Sequence, residues 1–347
     1  MLVEPFDSIF LQACSGIRTT STPIWLMRQA GRVLPEYREL RSKYDSLQTL
    51  FTTPELASHI TLMPIDLLGV DAAILYTDLI TPLGPLGCPF DYNPGPIFQN
   101  PIRSESQIKN LKEFSSEIEL PYVTKTIDIV TASLPENIPL IGYAGAPFTL
   151  AAWLVEGRSS KDFSAVRSLF NSEPNTAHLL MEKLTHLVID FLSTQIRHGV
   201  KAIQLFDTSL GVISASSFNE FVLPYVKQIF KELSCHNVPR IYYPLGAWHC
   251  NEYFQQIEME VLGLDWRTSI ADGYKVLGGH GNAIQGNLDP TILYTHPQII
   301  TKAVEELLST VGKRPHIFNL GHGLQPDMPF ENVLFLIEEV NRISQRN

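Results

Sequence analysis

Residues 199–208 read Gly199-Val-Lys-Ala-Ile-Gln-Leu-Phe-Asp-Thr208. The stretch before them, Ala177–His198, carries Leu180, Leu184, Leu187, Phe191 and Ile196 at helical spacing, and Gly199 stops it. Val200–Phe206 is then a short, β-rich, mainly apolar run that ends on a polar pair, Asp207-Thr208. A strand with so little polar alternation belongs in a sheet covered on both faces.

Seven further runs repeat this unit. They are Ile24–Met27, Asp71–Tyr76, Pro139–Tyr143, Arg240–Tyr243, Val261–Trp266, Ala283–Gln285 and His316–Asn319. Helical patterns separate them. Thr53-Pro54-Glu55 opens Leu56–Leu68 with a cap, a first-turn proline and an early acid. Ser217–Cys235, Pro297–Val311 and Glu331–Arg346 read as helices, whereas Gly84–Pro101 reads as loop and Ser104–Glu119 as surface helix. Eight β-runs alternating with helices predict a single α/β domain over residues 1–347, a (β/α)8 TIM barrel. A doubly wound open sheet is the runner-up, but no Gly-x-Gly-x-x-Gly follows the first run.

Unusual polar residues collect at the ends of these runs. Arg28, Asp78, Gly145-Ala-Pro147, Asp207-Thr208, Asp265-Trp266, Gly286-Asn287 and Gly321-His322 each sit at or just past a C-terminal strand end. In a barrel these positions share one mouth, where active sites of this fold lie. The mouth is basic in an acidic chain. Between Arg18 and Lys43 there are six basic residues and two acids, against a net charge of −10 overall. Arg28 and Arg32 offer fixed forks of donors, which suits a ligand bearing several carboxylates or phosphates. Arg41 is a third such arginine or a structural one, and Arg38 fits structural pairing with Glu36, Glu39 or a helix C-terminus. Asp78 reads as a turn cap, a partner for the arginines, or a receptor for ligand N–H groups. His322, between two glycines, is the histidine that strand-end position sets apart from the other nine.

Composition bounds the rest. The chain has 347 residues, 44% of them hydrophobic and 18% charged, as an ordinary globular enzyme has. A pI near 5.5 and the absence of Lys/Arg tracts argue against nucleic-acid binding. No apolar run approaches the roughly 18 residues of a membrane span, and Met1-Leu-Val-Glu-Pro-Phe-Asp7 is not a secretory leader. The four cysteines are scattered without Cys-x-x-Cys, which predicts a reducing, cytoplasmic setting.

Five segments resemble the uroporphyrinogen decarboxylase family in order and spacing. They are Met27-Arg-Gln-Ala-Gly-Arg32, Tyr76-Thr-Asp-Leu-Ile80, Gly142–Pro147 through Val155-Glu-Gly157, Leu205-Phe-Asp-Thr208, and Gln285–Pro290 followed by Asn319-Leu-Gly-His-Gly323. The resemblance implies a barrel enzyme, usually a homodimer, that removes four acetate carboxyl groups from uroporphyrinogen III to give coproporphyrinogen III. It implies no metal and no organic cofactor. A decarboxylase needs an electron sink, which other enzymes borrow from a cofactor. A pyrrole supplies its own: protonation of a ring carbon makes a cation, and loss of CO2 leads back to the aromatic ring. By resemblance, Asp78 accepts the pyrrole N–H groups and stabilises that cation, and Arg28, Arg32 and His322 hold substrate carboxylates. Arg28 is also a candidate proton donor, and Arg41 a substrate or structural residue. Trp153 and Thr208 stand where the family has Tyr and Ser. Trp keeps a donor but exchanges no proton, so an acid or base role is not expected at 153. Val33 replaces a usual aromatic, and Gly84–Pro96 is a compact rim.

The rival reading is a zinc-dependent thiol methyltransferase, suggested by His249-Cys250. Read as adjacent strand residues, the two would face opposite sides, and no third soft ligand follows. A non-catalytic porphyrin-binding protein is a third reading, supported by Trp153 and opposed by the intact Arg28, Arg32, Asp78 and His322.

Overall fold

A computed structural model describes residues 7–92, 95–277 and 282–345. The reading of Met1–Phe6 as no leader, the centre of the Gly84–Pro96 rim (Asn93, Pro94) and Arg346 at the end of the last expected helix lie outside the described residues.

The strands are β1 (Ala73–Ile74), β2 (Phe90–Tyr92), β3 (Pro96–Phe98), β4 (Leu140–Gly145), β5 (Ala202–Asp207), β6 (Arg240–Pro244), β7 (Val261–Gly263), β8 (Ala283–Gln285) and β9 (His316–Ile317). Seven form one sheet in the order β1-β4-β5-β6-β7-β8-β9, and every pair is parallel. All residues of β4, β5 and β6 are buried, which explains their apolar sequence. The sheet curls. Gln285 on β8 donates to Gln204 on β5 at 3.0 Å, although β6 and β7 lie between them.

Ile24–Met27, expected as a strand, is none. Only Ile24 pairs, in an isolated parallel bridge to Phe318. The reason lies in where its N–H groups go. Ile24 donates to the Asp71 carboxylate at 2.7 Å, Leu26 to the Gln29 amide at 2.9 Å, and Met27 to the Asn319 amide at 3.1 Å. Only Trp25 keeps a ladder-like bond, to Phe318 O. The segment is still extended in the pattern of its burial. Trp25 and Met27 enter one apolar cluster, Ile24 and Leu26 the other.

The helices fall on the expected patterns, with shifted ends. Pro54–Leu68, Pro174–Arg197 and Pro297–Val311 match closely, and Phe330–Ser344 is the last. The expected helix Ser217–Cys235 is two, Ala215–Phe221 and Leu223–Leu233. Pro224 brings no N–H and cannot continue the ladder of the first. Ser104–Glu119 is likewise two short helices, Glu105–Lys109 and Ser116–Glu119. The expected loop Gly84–Pro101 contains the antiparallel pair β2–β3, with Phe90 opposite Phe98 and Tyr92 opposite Pro96. No helix among the described residues is long and apolar enough to cross a membrane.

Candidate active site

Asp78 follows β1 and opens a tight turn. Its N–H donates to Thr81 Oγ1 at 3.2 Å, and its Oδ1 accepts the Ile80 N–H at 3.1 Å. This much is the cap geometry its sequence position predicts. The second oxygen is different. Oδ2 accepts the Tyr92 hydroxyl at 3.0 Å, from the β2–β3 hairpin. Burial raises the carboxyl pKa, and the Ile80 N–H, the Tyr92 hydroxyl and the Arg28 charge oppose that rise. Tyr143 stands beside it and donates to the Thr77 carbonyl.

Arg28 takes φ 65, in the left-handed region that a Cβ disfavours. The conformation is held from both sides, by the Gln29 amide and by Asn319 on Met27. It leaves the Arg28 side chain exposed. Its stem runs against Gly323, where any Cβ would overlap it. Arg28 also acts on His322, the residue before that glycine. One cation therefore faces both the carboxylate and the histidine.

His322 stacks on Trp266, with ring centroids 6.2 Å apart and planes 19° off parallel. Arg267 lies 4.0 Å from the Trp266 ring centroid and bonds the buried Asp265 at 3.1 Å. Gly321 permits this stack, because a Cβ there would run into Trp266. Asn287 fixes the same loop by donating to the carbonyls of Asp265 (2.8 Å) and Thr268 (2.6 Å). Burial, then the charges of Arg28 and Arg267, depress His322 to about 4. It is a neutral ring at pH 7, a hydrogen-bonding group rather than a cation.

The other expected residues have contacts of their own. Arg32 is exposed, and Arg38 braces its turn by donating to the carbonyls of Arg32 (2.9 Å) and Val33 (3.2 Å). Arg38 thus binds backbone, not the acids of its helix. Arg41 donates to the carbonyls of Tyr44 and Asp45, closing the end of helix Pro35–Ser42. Trp153 is half-buried on helix Pro147–Glu156, its ring edge-on to Phe163 at 6.3 Å. Thr208 is half-buried just past β5. Its neighbour Asp207 is fully buried and accepts Thr149 (2.8 Å) and Tyr242 (3.1 Å).

The methyltransferase pair does not chelate. His249 bonds the Ile213 carbonyl at 2.7 Å, and burial pushes the Cys250 thiol up to about 12. The two lie in a 3-10 turn, Trp248–Cys250, and not in a strand. Among the described residues no three His, Cys, Asp or Glu side chains gather as a metal site.

Sequence reasoning missed Tyr92, Tyr143 and Arg267 as site residues. Tyr143 lies within a quoted motif and Arg267 beside Asp265-Trp266, so proximity to a strand end was an available signal. Tyr92 gave none.

The fold and site together define a parallel α/β enzyme with a carboxylate, an arginine and a neutral histidine at the strand ends. Comparison narrows the class. The sequence model described as "Uroporphyrinogen decarboxylase (URO-D)" matches residues 6–343. Proteins named uroporphyrinogen decarboxylase from Geobacter metallireducens and Geotalea daltonii are 45% and 44% identical over 97% of this chain and 99% of theirs. The chain belongs to the uroporphyrinogen decarboxylase family. Among solved structures, a methyltransferase from Methanosarcina mazei superposes with TM-score 0.80 at 17% identity, over 96% of this chain and 97% of its own. A B12-independent methionine synthase from Shewanella sp. W3-18-1 does so with TM-score 0.60 at 10% identity, over 86% and 89%. At these identities the likeness is one of fold.

Proposed function

We propose that the chain converts uroporphyrinogen III to coproporphyrinogen III, releasing four acetate carboxyl groups as CO2. The carrying observation is the half-buried Asp78 carboxylate in the field of Arg28, in a chain of this family. The substrate itself is the electron sink. Protonation beside an acetate arm leaves a ring cation, which takes up the electron pair of the breaking bond as CO2 departs. Protonation of the resulting methylene and loss of the ring proton leave a methylpyrrole. Asp78 accepts the pyrrole N–H groups and stabilises the cation, a charge that exists only during reaction. Arg28 and Arg32 hold substrate carboxylates, and Arg28 is the candidate proton donor. His322, neutral, donates or accepts a hydrogen bond to a substrate arm, and Thr208 and Trp153 line the wall. Arg41 is structural, since carbonyls at the end of its own helix occupy it.

The working unit is one domain, a (β/α)8 barrel in which the extended segment Pro23–Met27 closes the sheet in place of a regular eighth strand. Support comes from hydrogen bonds on both sides of that segment: Phe318 N–H to Pro23 O at 2.8 Å and Asp71 N–H to Ile24 O at 2.8 Å. Trp25 Nε1 also reaches Gln285 inside the curl at 2.9 Å. The enzyme works as a cytoplasmic homodimer without metal or organic cofactor. The test is incubation of the purified protein with uroporphyrinogen under anaerobic conditions, with and without exhaustive chelation. Stepwise loss of CO2 to coproporphyrinogen in both is expected. Loss of activity with EDTA and rescue by zinc would overturn the reading.

A further inference from the structure

The hairpin β2–β3 lies outside the main sheet, yet it delivers a phenol to the carboxylate at its mouth. We infer that Tyr92 is a positioning residue for decarboxylation, holding the Asp78 carboxylate in one orientation toward the substrate. The inference rests on the function proposed above.

Three observations carry it. First, the two oxygens of Asp78 are held by two different elements. Oδ1 takes the Ile80 N–H of its own turn, and Oδ2 takes the Tyr92 hydroxyl at 3.0 Å. Two fixed donors stop the carboxylate from rotating, and each favours its charged form. Secondly, the hairpin is anchored independently of Asp78. Phe98 donates to the Gly157 carbonyl at 2.7 Å, and Ile97 bridges to Arg158. The Tyr92 ring packs edge-on against Phe90 at 5.7 Å and near Phe51 at 6.1 Å. Thirdly, packing alone does not fix the ring. Tyr92 borders a cavity of about 260 Å³ that Phe51, Phe90, Thr81 and Tyr122 also line. The hydrogen bond is what ties the phenol to the site.

The charged and titratable groups that face Asp78 are Arg28 from the Met27–Gly31 turn, Tyr143 from β4 and Tyr92 from the hairpin. Burial pushes the carboxyl up, whereas Tyr92 and Arg28 pull it down. Removing the Tyr92 hydroxyl removes a stabiliser of the charged form, so Asp78 must take up its proton at a higher pH. A donor to a charged acceptor is worth enough to move that titration by roughly one pH unit.

The experiment compares the parent with Tyr92→Phe and Phe51→Leu in pH profiles of kcat/KM, with direct binding of uroporphyrinogen beside them. Tyr92→Phe is expected to move the acid limb up by roughly one pH unit. It should lower kcat by about tenfold and leave substrate affinity within twofold. Phe51→Leu alters the ring packing but not the hydrogen bond, and should leave the acid limb in place. An unmoved limb and parental kcat in Tyr92→Phe would refute the positioning role while the parent's activity upheld the function. Equal shifts in both variants, or a Tyr92→Phe chain that does not fold, would reduce Tyr92 to a packing residue. A parent that releases no CO2 would sink the function and this inference together.

Discussion

Asp78 and Asp207 both lie at or just past the ends of parallel strands, and burial raises the pKa of each. Their surroundings part them. Asp207 is fully buried, and two hydroxyls from neighbouring elements, Thr149 and Tyr242, take up its oxygens. Asp78 stays half-open, faces Arg28, and is held by a turn N–H and a phenol from the rim. The first carboxylate ties strands and helix together, and the second is available to a ligand. Strand-end position gathers candidates, but access and a facing arginine distinguish a site from a brace.

Substitution should separate the two. Asp78→Asn is expected to cut turnover by on the order of a hundredfold or more, because preorganised charge is lost where the cation forms. Steady-state rates of CO2 release check it.

Asp207→Asn is expected to act on stability and on its pH dependence. Burial sets the Asp207 carboxyl at about 6 in the fold, above its unfolded value near 4. A raised folded pKa gives stability that is complete below the unfolded pKa and lost as pH climbs through the folded one. The Asn variant resembles the protonated form. Between pH 4 and pH 8 the balance should therefore move toward the variant by on the order of 3 kcal/mol, read by urea unfolding at both pH values. A difference independent of pH would mean that Asp207 is not strained by its burial.

Arg32→Ala should have the smallest effect. Its side chain is exposed, so a carboxylate contact there is worth about 1 kcal/mol and fades with salt. Titration of uroporphyrinogen binding at low and high ionic strength measures it. A larger, salt-independent loss would place Arg32 in a dry part of the pocket.

The parts legible in the sequence were those that burial writes into composition. β4, β5 and β6 are buried along their whole length, so their runs are apolar and short. The run of β5 ends on the polar pair Asp207-Thr208. What stayed hidden was the choice of hydrogen-bond partner. Ile24–Met27 has strand-like composition, but Asp71, Gln29 and Asn319 take N–H groups that a ladder would use. The Arg28–Arg41 cluster shows its charge in the sequence, but that Arg41 and Arg38 bind carbonyls depends on how the chain folds back on itself. Tyr92 lies in a stretch rich in Pro and Gly, which reads as loop. Its partner Asp78 is fourteen positions away, and no periodicity connects them.

The central claim is that the Asp78 charge serves the transition state rather than the bound substrate. The direct test is single-turnover decarboxylation of uroporphyrinogen by the parent, Asp78→Asn and Asp78→Glu, with the dissociation constant measured beside each. Asp78→Asn should lose on the order of 3 kcal/mol or more in the chemical step with binding changed far less, and Asp78→Glu should keep part of the rate. Parental chemistry in Asp78→Asn, or a loss that falls wholly on binding, would contradict the account and return Asp78 to the role of a turn cap.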